Sequence, residues 1–444
     1  MDRRDPAVFA DRAGYITGMG ETGMKKPLTM ASAALLALSI SAASVSAADV
    51  STETPVTRGQ FIQQVADYLQ LSPQNGGAPL PLDISAQSPY AGPVQALIER
   101  QIIDGYPDGT FRPDQPITGP EAGYILARFL GFEDASALER LEQKFDIRFD
   151  SEAVVLPDAA QQAIRASLAS DSKIREWLKQ SSVKQAELKS FKVDMDQNMK
   201  IRLAPGRAET AGMETTVRSA SLFDLAKGMH ISMSMAVPGE SKPMEMEQYI
   251  LPGGSYMRLP GAETGEGTWV NTTKQMPFTF EQLIQLQKDS VSLNQSLMNN
   301  SFFYRDLGTE QLDGRTMKKI EINGKLHDFK QILSALGSAM NDPSMVQSLT
   351  ESSDLQNLSL SMNGTMWVDE ATQLTAKMET TMSIRYDASE TMPLEGMDMI
   401  ITAVYKNLNE PVEIVLPEAA KNAPEVAAKM PAIEAEPAAA SASQ

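Results

Sequence analysis

The 444-residue sequence contains no cysteine and only two histidines. Without cysteine there can be no disulfide, no thiolate metal site, no cysteine nucleophile and no acylated amino-terminal cysteine. His230 and His327 stand far apart and belong to no His/carboxylate cluster, so a catalytic base or a metal centre built on imidazole is not expected. A G-x-S-x-G elbow and a glycine-rich phosphate loop are also missing. Carboxylates are so numerous that some pair could always be drawn, which makes pairing them by sequence uninformative. No enzyme and no cofactor are expected. Positive charge is scarce too: 39 Lys and Arg stand against 57 Asp and Glu, a formal charge of −18, which argues against a nucleic-acid partner. Beyond residue 47 no stretch approaches the roughly 18 apolar residues that a membrane-crossing helix requires.

What is present reads as ordinary globular protein with room for two or three domains: 42% hydrophobic and 22% charged residues. Near the amino terminus, Met24-Lys25-Lys26 precedes an apolar run from Pro27 to Ala43 and the small residues Val45-Ser46-Ala47. That order is expected to be a secretory signal peptide, with the mature chain starting near Ala48 at a charge of about −19. Residues 1–23 do not fit such a signal, and translation is expected to start at Met24.

An internal repeat follows. Pro55-Val56-Thr57-Arg58-Gly59-Gln60-Phe61 overlays Pro116-Ile117-Thr118-Gly119-Pro120-Glu121-Ala122, and Val65, Ala66, Tyr68 and Leu69 continue over Leu126, Ala127, Phe129 and Leu130. Each copy opens with a capping box, Thr57-x-x-Gln60 or Thr118-x-x-Glu121, ahead of apolar residues at helical spacing. Between the copies, Val94, Leu97, Ile98 and Ile102 mark another amphipathic helix over 93–103, which Gly105 is expected to end in a left-handed conformation. Pro107-Asp108-Gly109 then signals a turn, because proline presets φ and glycine permits φ > 0.

"GYPDGTFRPDQPIT", with "LDISAQSPYAGPVQALIERQIID" before it, resembles the S-layer homology (SLH) domain, a module that holds secreted bacterial proteins non-covalently on secondary cell-wall polysaccharide. The resemblance implies a site for a wall glycan, often carrying ketal-linked pyruvate. Carried over residue by residue, it implies contacts from Thr57, Arg58 and Gln60, with Asp83, Tyr90, Gly105, Tyr106, Asp108, Gly109, Phe111 and Arg112 around them. An arginine fork beside a helix amino terminus suits a carboxylated sugar. Gly119-Pro120 stands where the family has Arg-Ala, so the second helix start lacks its cation. About one and a half motifs are visible where the family commonly uses three around a pseudo-threefold axis. Association of chains into a homo-oligomer would complete it. Alternatively, wall binding is weak, or the module serves mainly as packing.

Residues 136–184 carry no recognisable chemistry and are expected to form a helical linker with short helices near 158–168 and 172–178; completion of the first module by part of it stays open. From Lys192 the period changes to two: Val193, Met195, Met199, Ile201 and Leu203 alternate with polar residues. Strands are expected at 192–203, 229–237, 244–250, 358–368, 374–386 and 397–405, with helices near 280–298 and 329–340. This predicts an α+β domain, a curved antiparallel sheet with helices on its apolar side.

Of the 26 methionines, 22 lie beyond residue 190. Met195, Met199, Met233, Met235, Met246, Met362, Met366, Met378, Met382 and Met399 occupy the apolar parity of strands and are the candidate lining of an apolar cavity. Three readings stand side by side: a deformable cavity for an irregular apolar ligand, a solid methionine-biased core, and soft Met-x-Met ligands for Cu(I).

"EQYILPGGSYMRLPG", "LGTEQLDGRTMKKIEING", "GTMWVDEATQLTAKMETTMSI" and "YKNLNEPVEIVLPEAA" resemble the LppX and LprG lipoproteins and the LolA and LolB lipoprotein carriers. That likeness implies a half-open barrel that holds a lipid-like ligand or a lipoprotein acyl chain.

The expected division is 24–47 signal peptide, 50–135 all-α SLH-like module, 136–184 linker, 185–416 α+β half-barrel and 417–444 disordered tail. The expected protein is a secreted, wall-attached, non-enzymatic envelope protein that binds a lipid-like ligand or lipidated partner. The alternative is a purely structural envelope protein with a solid second domain.

Overall fold

The computed structural model describes residues 53–73, 78–133, 135–149, 153–203, 214–236, 239, 241–260, 267–276, 279–285, 287–288, 291, 301–326, 358–385 and 394–425. The expected signal peptide, the helix near 329–340, His327 and residues 426–444 lie outside them.

Both capping boxes form. Thr57 starts α1 (Arg58–Leu69): its hydroxyl accepts from the Gln60 N–H at 3.2 Å and its own N–H donates to Gln60 Oε1 at 3.0 Å. Thr118 does the same with Glu121 at the start of α3 (Gly119–Phe129). The intervening helix, α2 (Ala91–Glu99), is shorter than its apolar pattern. It ends on Gln101 at φ 51°, not on Gly105, and the Ile102 N–H closes onto the Leu97 carbonyl at 2.9 Å. Gly105 instead lies against the Thr110 carbonyl, 3.1 Å from where a Cβ would sit.

The expected linker is not a spacer. Its first two helices, α4 (Ala137–Phe145) and α5 (Pro157–Leu168), pack into the same apolar core as α1 to α3, with Leu141, Val155, Ala160, Ile164 and Leu168 all buried. A ring of three backbone hydrogen bonds ties the starts of α1, α3 and α5 together. Ile117 N–H donates to Val56 O (2.9 Å), Val155 N–H to Ile117 O (3.0 Å), and Val56 N–H to Val155 O (2.9 Å). Val56, Ile117 and Val155 therefore hold equivalent places, and the buried residues follow in step: Phe61, Ala122 and Ala160; then Val65, Leu126 and Ile164. Residues 137–168 are a third, degenerate unit, with Leu156 where the other two have a capping threonine. The threefold ring thus closes within one chain.

Eleven strands form one open antiparallel sheet: β1 (Ser190–Leu203), β2 (Glu214–Asp224), β3 (Gly228–Met235), β4 (Met244–Leu251), β5 (Gly254–Leu259), β6 (Thr268–Asn271), β7 (Phe302–Leu312), β8 (Arg315–Leu326), β9 (Ser359–Asp369), β10 (Thr375–Arg385) and β11 (Leu394–Lys406). The chain enters at the centre and meanders from β1 to the β6 edge. It then crosses to the opposite edge and returns from β7 to β11, which pairs with β1. Alternation gives the sheet one apolar and one polar face. On the apolar face, α6 (Ser172–Ala186) places Ile174 and Leu178 against Ile320, Ile322 and Val368, while Phe280 of the helical residues 280–285 packs on Phe223 and Ile250.

Both edges are covered, which denies them to other strands. The turn into α6 borders β7: Asp171 N–H donates to Tyr304 O (3.2 Å) and Tyr304 N–H to Ser170 Oγ (3.2 Å). At β6, Asn271 N–H donates to Pro424 O (2.8 Å). Residues 417–425 are thus part of the fold, with Ala420 fully buried in a short helix, where the expected division had a disordered tail.

The helical units dock on the polar face of β7 to β9. Glu321, 5% exposed, takes Lys144 at 2.6 Å and Arg305 at 2.9 Å; Lys325 pairs with Glu133, Asn363 Nδ2 donates to Gly131 O (3.0 Å), and Phe303 joins the helical core. Gly131 has φ 72°, and a Cβ there would lie 2.4 Å from the Gly324 carbonyl, so only glycine lets the backbones come this close.

Candidate functional site

The helix start carrying Arg58 is held from both sides. Its Nε donates to the Phe111 carbonyl at 3.0 Å and its Nη1 pairs with Glu121 at 2.7 Å. The guanidinium lies 4.9 Å from the ring centroids of both Tyr106 and Phe111, and the residue is 8% exposed. Glu121 also accepts from the Tyr106 hydroxyl at 3.0 Å. Burial works to raise the Glu121 pKa, but the Thr118 N–H, the Arg58 charge and the Tyr106 hydroxyl outweigh it and hold the carboxyl below its ordinary value. For Tyr106, burial is the largest influence and its pKa is raised.

Most of the other expected glycan contacts shape the loop. Thr57 and Gln60 cap α1. Asp83 accepts the backbone N–H groups of Phe111 and Arg112, each at 2.7 Å. The Tyr90 ring lies against Gly59, 2.7 Å from where a Cβ would be. Gly109 supplies φ 80° and Phe111 is a core residue at 1% exposure. Asp108 accepts from the Thr110 hydroxyl and N–H and pairs with Arg112 at 3.0 Å, which brings its pKa down to about 2. Arg112 covers the Tyr106 ring at 3.9 Å.

Beside the Arg58–Glu121 pair lies a groove of about 220 Å³ whose other polar walls are Asp104, Tyr124 and Arg128. Arg128 pairs with Asp104 at 2.9 Å, and Tyr124 is 46% exposed. An exposed aromatic face next to paired charges offers a sugar ring both stacking and directional hydrogen bonds. These three residues were not among the expected contacts. Their signal was faint: Tyr124 falls off the apolar stripe of Ala122, Ile125, Leu126 and Phe129. Nothing replaces the missing cation at Gly119; its N–H donates to Ala153 O (3.1 Å), and Leu138 and Phe149 of the third unit pack over Gly123.

The ten candidate cavity methionines share the apolar face, as alternation requires. Register aligns them in rows. Met362 opposes Met382, Met382 opposes Met399, and Met399 opposes Met199, a line of four across β9, β10, β11 and β1. One pleat away, Met366, Met378, Ala403, Met195, Ser219, Met233 and Met246 follow one another across seven strands. Met399 is buried; the other nine are half-buried. Thioethers with three free torsions make such a surface deformable. His230 lies on the opposite face, stacked on Tyr249 with centroids 4.2 Å apart. Burial lowers its pKa despite nearby Glu247. Among the described residues no group of three or more His, Cys, Asp or Glu could hold a metal ion.

Residues 82–122 match the S-layer homology domain. The chain is similar in structure to LprF from Mycobacterium bovis, at 13% identity and a TM-score of 0.32 over 56% of this chain and 99% of that one. It is similar to the lipoprotein LppX of Mycobacterium tuberculosis, at 14% identity and 0.26 over 55% and 100%. A putative outer membrane lipoprotein-sorting protein domain from Vibrio parahaemolyticus matches at 11% identity and 0.21 over 54% and 93%. No curated protein matches the chain. Residues 173–425, which hold the sheet, nearly all of α6 and the cover of the β6 edge, match the family of unknown function DUF6612, and the chain belongs to that family.

Proposed function

We propose that this is an exported, wall-attached envelope protein without enzymatic activity, whose helical units hold cell-wall polysaccharide and whose sheet holds an apolar, lipid-like ligand or the acyl chain of a lipoprotein. The observation that carries the ligand reading is the pair of methionine rows, aligned across the sheet with eight of their nine methionines only half-buried. A face built only for packing would be expected to close over these side chains with branched residues of fixed shape. Native mass spectrometry of the purified mature chain, followed by organic extraction, tests it: a stoichiometric lipid supports the reading, and a ligand-free chain that binds no apolar dye refutes it.

Attachment is assigned to the groove formed by Arg58, Asp104, Glu121, Tyr124 and Arg128, with the loop of Tyr106 to Arg112 as its scaffold. The shift from the originally expected contacts is chemical: Asp83, Thr57 and Gln60 already spend their polar atoms within the chain. Co-sedimentation with purified wall sacculi tests the assignment, since it should be lost with Tyr124→Ala. A second reading, in which the sheet is a solid structural element, draws on the packing of α6 and Phe280 over both ends of the apolar face.

A further inference from the structure

A cavity of about 590 Å³ lies apart from the groove at Arg58. It lies on the polar face of the sheet, where Gly131, Glu133 and Arg140 of the helical units overhang β1, β2, β10 and β11. A second cavity of about 380 Å³ shares Thr216 and Ala236 with it, so the two form one trough.

The trough is basic in a chain of formal charge −18. Arg140, Lys200, Arg202, Arg218, Lys242 and Arg385 line it, against the carboxylates of Glu133, Glu214 and Asp398; Lys200 pairs with Glu214 at 2.8 Å and Arg218 with Asp196 at 3.2 Å. Glu133 is already claimed by Lys325 from behind. Asp398 is shared by two guanidinium groups, Arg202 at 2.6 Å and Arg385 at 2.8 Å, which leaves one positive charge of that trio uncompensated. Acceptors complete the lining. Among the described residues Asn363 Oδ1 receives no hydrogen bond, nor do two neighbours on the same face, Asn323 Oδ1 and Ser361 Oγ, whose residues are 1% and 2% exposed. Asn323 faces Asn363 across β8 and β9. Buried acceptors of this kind ordinarily have a donor.

We propose that this trough binds an acidic oligosaccharide: its carboxylate or phosphate groups meet the planar forks of Arg202 and Arg385, and its hydroxyls donate to Asn363. Ile400, 58% exposed on the same strand as Asp398, supplies an apolar patch for a ring face. This site shares no residue with the groove at Arg58; it shares Met199 and Met399 with the methionine rows, while its charged lining lies on the opposite face.

Isothermal titration of the full mature chain with an oligogalacturonate, a glycerol-phosphate oligomer and neutral maltohexaose tests it. One site per chain is expected for at least one of the two anionic probes, weakened at least tenfold by Arg385→Ala and also weakened by salt. Which of the two binds decides between carboxylate and phosphate. Because Arg385→Ala removes a partner of Asp398, Ile400→Trp serves as a second variant that blocks the trough from an exposed position and is checked for folding by circular dichroism. Binding of neither anion, equal binding of maltohexaose, or binding indifferent to Ile400→Trp would overturn the proposal.

Discussion

Arg58 and Glu121, one from each visible copy of the repeat, close a 2.7 Å ion pair beside the groove lined by Asp104, Tyr124 and Arg128. Arg58 is largely enclosed and Glu121 about one-third exposed, so the pair is both a structural tie and one wall of the groove. Arg58→Ala should cost about 1–3 kcal/mol, because it orphans the Phe111 carbonyl and leaves Glu121 without its cation. Urea denaturation measures this directly, and an unchanged midpoint would contradict the packing described. Tyr124→Ala, at an exposed position, should change stability by less than about 0.5 kcal/mol while abolishing sedimentation with wall sacculi.

Acid should loosen the same corner. Glu121 has a folded pKa below its ordinary 4.5 and Asp108 one of about 2 against 3.8. Groups depressed in this way add stability that is present above the ordinary value and lost as pH falls through the folded one. For Asp108 the window runs from pH 3.8 down to about 2. Melting temperatures followed across that range should fall less steeply in Asp108→Asn than in the parent chain, and parallel curves would count against the shift.

The third helical unit can be tested as core. Ile164 is 3% exposed and holds the place of Leu126. Ile164→Ala should therefore destabilise by about 2–5 kcal/mol, as Leu126→Ala should. A surface linker would lose less than about 0.5 kcal/mol at the same position.

Removing the carboxylate of Glu321 leaves the one-third-exposed Lys144 and Arg305 without their shared partner, so Glu321→Ala should cost about 1–3 kcal/mol. Calorimetry should show a single transition for the parent chain and two for the variant, one for the helical units and one for the sheet. A single, unshifted transition would mean that the docking does not depend on this cluster.

On the apolar face, Met382→Leu conserves volume and should cost less than about 1.5 kcal/mol. Met382→Glu should abolish recovery of an extractable lipid, because a carboxylate would interrupt the row between Met362 and Met399. Lipid recovered equally from Met382→Glu would remove the methionine rows from the binding surface.

Legibility in the sequence followed the strength of each local signal. The capping boxes at Thr57 and Thr118 announced α1 and α3, and the alternation through Met195 and Met199 announced β1. Strands β7 and β8 escaped notice because Phe302 to Tyr304 and Ile320 to Leu326 are buried on both faces, where the helical units cover one side and α6 the other, so no alternation survives. β2 was hidden by the small polar residues Thr215, Ser219 and Ser221 at its apolar-face positions. The third helical unit lacked a capping threonine at Leu156 and read as filler. In the groove, the motif residues were conspicuous because they build the loop, whereas Asp104, Tyr124 and Arg128 sit on it without any motif of their own.

Docking of the helical units through Phe303, Glu321, Lys325 and Asn363 also sets how the molecule bears load. A pull transmitted from the wall enters the sheet through side chains on β7, β8 and β9, and it enters on the polar face. The tension is shared among neighbouring strands at one end of the sheet, while the rows of thioethers around Met195 and Met199 lie on the reverse side and toward the middle. The docking contacts and the rows meet at β9, which carries Asn363 on one face and Met362 and Met366 on the other.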